Sequence, residues 1–236
     1  MRALLVRVAA DKSAGGGRWN GPVNSETNEF VYVSIPEEKT MRAGLEKPYR
    51  LLEPALARFG RTLPMSLADR HMHLDPDFTH LTYGDCRERA KQIASKLQKG
   101  DLLVFYSGLQ DIRGRERLVY ALIGLFVIDR IESASQVRPE DWDCNAHTRR
   151  IPELVTDDIV VRANPRVSGR LERCIPIGEW RNRAYRVTKP LLDAWGGLSI
   201  KDGYLQRSAR LPEFKDTERF YRWFKNQGMA LVSRNN

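Results

Sequence analysis

Asp11 and Asn20 bracket a run of three glycines, Gly15-Gly16-Gly17, with Trp19 immediately before the amide. A carboxylate near an amide can orient a water and offset positive charge that develops during a reaction. Glycine leaves the backbone bare, so a ligand can approach it closely. Trp19 adds a face on which a flat ring can stack. Asp11 equally suits the cap of an ordinary turn. The glycine spacing matches neither a dinucleotide fingerprint nor a phosphate loop of the Gly-Lys-Ser kind.

A second group is His71, His73, Asp75, Asp77 and His80, followed by Tyr83-Gly84-Asp85. His-x-His-x-Asp can present metal ligands from one side of an extended segment. The pattern is similar to that of metallo-β-lactamase-like hydrolases, but Pro76 stands where their next histidine would be, and beyond this group His147 is the only histidine. No metal and no cofactor are therefore expected. A metal-dependent nuclease or phosphohydrolase using His71, His73 and Asp75 is an alternative reading. Asp75 and Asp85 can instead act as general bases or turn formers.

Aromatic and basic residues supply the remaining candidates. Phe105-Tyr106-Ser107-Gly108 ends an apolar run and can line one wall of a flat pocket. After Asn164-Pro165, a Ser-Gly-Arg turn and further arginines follow, and Ser168, Arg170 and Arg173 suit phosphate contacts. Neither a reactive cysteine context nor a Gly-x-Ser-x-Gly elbow is visible.

The elements that must hold these residues read as a single α/β domain over 1–236, with a central mixed β-sheet flanked by helices. Strands are expected at 3–9, 30–35, 101–108, 118–131, 159–163 and 171–177. Helices are expected at 48–59, 86–98, 139–149, 189–195 and 216–227. Gly124 interrupts a strand and marks a bulge or a close approach. The charge is uneven: 23 basic and 23 acidic residues up to 161, then 16 basic against 7 acidic in 162–236. A basic C-terminal third on a neutral body (1–161) suggests a face for a polyanion, with nucleic acid favoured because the arginines alternate with aromatic rings. No apolar run suits a membrane span or a signal peptide, and three scattered cysteines point to a reducing cytoplasm.

Three blocks carry a resemblance. They are Asp11 through Glu37, His73 through Asp85, and Gly100-Asp-Leu-Leu-Val-Phe-Tyr-Ser-Gly-Leu109. Over roughly residues 3–177 the chain resembles the third of the nucleotide-modification-associated domain families. Ala9-Ala10 stands where that resemblance implies a glycine before Asp11. The resemblance implies a bacterial or phage setting concerned with modified bases in DNA. Within it, the family resembles a phage-defence DNA glycosylase that excises glucosylated hydroxymethylcytosine.

The expected activity is therefore monofunctional release of a bulky modified base from double-stranded DNA, in antiviral defence, with no protein partner implied. A base must leave the stack before its sugar bond can be reached. Trp19, Tyr32, Tyr83 and Tyr106 are the expected base-binding residues. Asp11, Asn20 and Asp85 are the expected catalytic residues, because a carboxylate can stabilise an oxocarbenium-like sugar while activating water. A reader that binds the modified base without cutting would use nearly the same residues.

Overall fold

A computed structural model describes residues 1–10, 19–114, 118–151, 157–205 and 210–236. In chain order the strands are β1 (Ala3–Arg7), β2 (Pro22–Val23), β3 (Ile35–Pro36), β4 (Met72–His73), β5 (Thr82–Asp85) and β6 (Leu102–Asp111). They continue with β7 (Val119–Ser133), β8 (Ile159–Ala163), β9 (Gly169–Pro176), β10 (Gly178–Arg181), β11 (Ala184–Val187) and β12 (Leu231–Val232). The helices are α1 (Glu53–Ala57), α2 (Met65–Ala68), α3 (Arg87–Lys96), α4 (Ala146–Arg149), α5 (Lys189–Ala194) and α6 (Thr217–Asn226).

Eight strands form one mixed sheet along the path β1-β6-β7-β8-β5, with β2 added to β6, and β9 and β12 beyond β7. β1 and β2 run parallel to β6, and the other pairings are antiparallel. The expected α/β domain with a central mixed sheet is what forms. β6 and β7 are central because Leu102–Tyr106 and Tyr120–Ile128 are apolar but for Gly124, which suits strands covered on both faces.

Alternate residues of these strands feed two cores. Leu103, Phe105, Ile123 and Phe126 face a layer built from residues 30–81 and from Ile93 of α3. Leu102, Val104, Leu122 and Leu125 face the other way, against Trp195 and against Phe220 and Phe224 of α6. Gly124 is a close approach, as expected: a Cβ there would lie 2.8 Å from the Gly169 carbonyl oxygen and from Phe78 Cζ. The β7–β9 register also shifts between Leu122 and Gly124.

The expected strand at 30–35 is extended and buried, but only Ile35–Pro36 joins a ladder. A single bridge joins Phe30 to Val23 of β2, and the remaining backbone groups find partners outside any ladder. Val31 donates to the Pro22 carbonyl, the Val33 carbonyl accepts from Ala10, and Tyr32 pairs its N–H and C=O with the Asn236 side chain. The alternating pattern reported burial on both sides, which a ladder strand and a satisfied extended segment share. The 48–59 helix splits into a 3₁₀ turn, Tyr49–Leu52, and α1, with Pro54 in the first turn of α1.

Candidate functional site

The densest group of buried ionisable side chains lies where the 30–81 layer meets α4. The antiparallel β3–β4 pairing sets Ile35 opposite His73. Glu37, just beyond β3, thereby reaches His73, with its Oε2 2.7 Å from His73 Nδ1. Arg150 clamps the same carboxylate from Nε at 3.1 and 3.0 Å and from Nη2 at 2.9 Å. Burial alone would raise the Glu37 carboxyl, but the His73 hydrogen bond and Arg150 outweigh it and hold it at about 2. Burial holds His73 below the usual imidazole value.

α4 is a short helix that Asn145 starts, and the reason is local. The Asn145 side chain accepts from the His147 N–H, while the Thr148 hydroxyl accepts from the Asn145 N–H. This capping box satisfies backbone donors that the first turn leaves open. The Asn145 amide also donates to Asp75 Oδ1 and Thr82 Oγ1, both at 3.2 Å. One residue thus begins the helix and holds Asp75. The Gly84 N–H completes the hold at 2.6 Å from the same Asp75 oxygen. Gly84 has to be glycine, because a Cβ would meet the His147 ring and lie 2.6 Å from Asn145 Oδ1.

His147, the second residue of α4, is set by Asp158, whose Oδ2 is 2.5 Å from Nδ1. Its Nε2 lies 3.4 Å from Asp75 Oδ2, and His73 Nε2 lies 3.8 Å from that oxygen. The two rings meet edge to face, 5.2 Å between centroids. The result is a chain of groups running Glu37, His73, Asp75, His147, Asp158. Burial opposes charge on His147, but the Asp158 hydrogen bond and the nearby Asp75 carboxylate prevail and lift it to about 9. His147 and Asp158 also line a cavity of about 300 Å³, together with Trp142, Arg150 and Arg42. The Arg42 guanidinium lies over the Trp142 ring, 3.3 Å from its centroid.

The expected site residues fall in several places. Asp11, with the glycine run, lies outside the described residues. Ala9, just before it, has a φ of 71°. That is the left-handed region glycine favours, so the backbone keeps the conformation of the residue it lacks. Asn20 is buried and donates to the Gly108 carbonyl at 2.9 Å. Trp19 is half-buried and packs on the core.

The three tyrosines do not share an open pocket. Tyr32 is buried and donates to the Pro76 carbonyl at 2.9 Å. Tyr83 is buried, donates to Asp85 at 2.5 Å, and accepts from Arg89 at 2.7 Å. Tyr106 packs in the core on the opposite side of the sheet, beside Tyr120. Asp85 is tied to Arg89 at 2.9 Å, and burial holds its carboxyl above the usual value despite that guanidinium.

Ser168 and Arg170 turn inward. Ser168 accepts from the Val127 N–H at 2.9 Å, and Arg170 is 4% exposed and donates to the carbonyls of Arg234 and Leu171. Burial pulls the Arg170 guanidinium down to about 10, with Arg234 adding to the effect. Neither side chain is placed to grip a phosphate; of the three expected contacts only Arg173 is exposed. His71 is exposed as well, and among the described residues the third member of the His73 and Asp75 group is His147. Sequence spacing could not find that partner, because 72 residues separate Asp75 from His147 and only the fold joins them.

The family model for nucleotide modification associated domain 3 matches residues 2–225. The chain belongs to this family. No curated protein and no solved structure matches it. A nucleotide-modification-associated domain thus brings together a buried carboxylate–imidazole chain and a cavity with an aromatic wall. No helix among the described residues is long and apolar enough to cross a membrane.

Proposed function

We propose that this nucleotide-modification-associated protein releases a modified base from DNA by hydrolysing its bond to the sugar. The observation that supports the reading is the cavity of about 300 Å³, where the Trp142 ring stands beside the Asp158–His147 pair. Its size and mixed lining are those of a small-ligand site. An extruded base would stack on Trp142 by displacing the Arg42 guanidinium from the ring. Asp158, which lines the cavity, would offset the charge of an oxocarbenium-like sugar. Asp11 keeps its expected role in activating water. Arg173 and the basic residues beyond 161 would hold the DNA backbone, and a bulky base such as glucosylated hydroxymethylcytosine fits an antiviral setting.

The test is incubation with end-labelled duplexes, modified and unmodified, analysed before and after alkali, with mass spectrometry of released bases. Release of the modified base, with strand breaks only after alkali, is the expected result. Asp158→Asn and Asp11→Asn should each slow release by about 10²–10⁴-fold. Folded protein that releases no base from modified phage DNA would overturn the reading. The approach of His73, Asp75 and His147 favours a second one, metal-dependent cleavage of a phosphodiester, which the same gel would reveal as breaks before alkali.

A further inference from the structure

His73, Asp75 and His147 present one donor atom each, and these atoms lie within 4.8 Å of one another. The protonation of the rings follows from their partners. An ionised carboxylate only accepts hydrogen bonds. His73 Nδ1 lies nearer the Glu37 carboxylate, at 2.7 Å, than Arg150 Nη2, at 3.0 Å, and His147 Nδ1 lies 2.5 Å from Asp158, so the carboxylates set both Nδ1 atoms as proton donors. That leaves the two Nε2 atoms as the metal-binding positions, and both point at Asp75 Oδ2. A histidine whose other nitrogen donates to a carboxylate is the usual arrangement behind a bound metal.

The spacing agrees. At 3.4 and 3.8 Å, neither Nε2 makes a good hydrogen bond to Asp75. Tetrahedral bonds of 2.0–2.2 Å would set ligand atoms ~3.3–3.6 Å apart, so the two nitrogen–Oδ2 spacings are close to those of a bound cation, and the group, now within 4.8 Å, would draw together around it. Asp75 Oδ1 is held by Gly84 and Asn145, which leaves Oδ2 to face the nitrogens. Charge agrees too. Glu37 and Asp158 share one guanidinium, Arg150, while Asp75 Oδ2 faces the two imidazoles, and a dication offsets the excess of carboxylates.

We infer that His73 Nε2, Asp75 Oδ2 and His147 Nε2 form a binding site for a first-row divalent cation of the zinc type, with Glu37 and Asp158 orienting the two imidazoles. Three protein ligands leave a fourth position for water, the composition of catalytic rather than structural zinc sites. Such a cation lowers the pKa of bound water to about 7. Hydroxide would then form by loss of one proton, with no change of oxidation state.

The test uses the whole protein, stripped with chelator, dialysed, and titrated with Co²⁺ and Zn²⁺, with no DNA present. One equivalent of Co²⁺ should bind and give visible d–d bands without a thiolate charge-transfer band, and Zn²⁺ should displace it. His73→Ala, Asp75→Asn and His147→Ala should abolish the bands. Asp158→Asn, which keeps every ligand, should weaken affinity by about 10–100-fold. His71→Ala should bind as the parent does.

Folded protein that takes up neither ion would overturn the inference and leave His147 as the imidazolium partner of Asp75 and Asp158. Bands that persist in His147→Ala, or a thiolate band, would place the ion elsewhere and overturn it as well. The readout needs no substrate. A protein that binds Co²⁺ but releases no base keeps this site and loses the base-excision reading. One that releases bases without taking up metal does the reverse.

Discussion

Gly84→Ala tests the geometry beneath the candidate site in one step. The added Cβ would lie 2.9 Å from His147 Cγ and 2.6 Å from Asn145 Oδ1. Carbon atoms rest at about 3.5–4.0 Å, and His147 Cδ2 is nearer still than Cγ, so the ring must retreat by ~1 Å or more. It cannot retreat cheaply, because Asp158 holds Nδ1 at 2.5 Å and α4 fixes the backbone. Overpacking of this kind costs ~1–3 kcal/mol. Moving the Asn145 oxygen also weakens the helix cap, at ~1 kcal/mol. Together these give ~2–4 kcal/mol. For a domain of this size each kcal/mol shifts Tm by ~2–4 °C, so the expected fall is ~4–16 °C.

Differential scanning calorimetry measures that fall, and Co²⁺ titration measures the accompanying loss of affinity, expected at about 10-fold or more because Asp75 and His147 both move. Removing the obstructing ring should relieve part of the cost. In a double-mutant cycle with His147→Ala, the coupling should therefore reach ~0.5 kcal/mol or more in the relieving direction. A Gly84→Ala protein with Tm within ~1 °C of the parent and unchanged Co²⁺ binding would refute the packing argument.

Arg149→Met should cost ~3–5 kcal/mol in urea unfolding, because it removes the guanidinium 2.5 Å from the buried Asp77 carboxylate and leaves that charge only the hydrogen bonds of Thr79, His80 and Asn235. Trp142→Ala should weaken binding of modified DNA by about 5–150-fold, the worth of one stacked base; equal affinity would remove Trp142 from the site. Arg173→Gln should flatten the salt dependence of DNA binding by about one unit, whereas Arg170→Met should leave it unchanged; the opposite result would contradict their placement. Cys144 and Cys174 should resist an aromatic disulfide at neutral pH until the protein unfolds. Burial pushes Cys174 up to about 12 and raises Cys144, so rapid reaction in the native protein would count against it.

Elements with strong local signals were readable from the chain. β6 and β7 are long apolar runs. In α6, Phe220 and Phe224 lie on one buried face, as their spacing requires. The segment at 30–35 was harder, since burial on both sides is compatible with a strand whose partners are carbonyls and side chains from elsewhere. His73 and Asp75 were legible as candidate ligands, because they sit two apart in one extended segment. Glu37, His147 and Asp158 were not. Each arrives on a different element, and no spacing rule links residues joined only by strand pairing and a helix cap. Ser168 and Arg170 show the opposite failure: composition identifies a basic turn, but only packing decides that Arg170 lies over Phe30, 5.0 Å from the ring centroid.

The parallel pairing of β1 with β6 has a consequence for synthesis. Ala3 pairs with Leu102, 99 residues later. At ~5–20 residues per second, a ribosome needs ~5–20 s to make the partner strand. Throughout that interval a five-residue segment with four apolar side chains has no sheet to join, which is the state in which strands associate between chains. Arg7, the one charge in β1, acts during that wait as a gatekeeper against wrong pairing. In the finished fold it donates to the Tyr120 hydroxyl at 2.8 Å, on a strand made later still. The same guanidinium that keeps the nascent segment soluble is thus absorbed once the sheet closes over it.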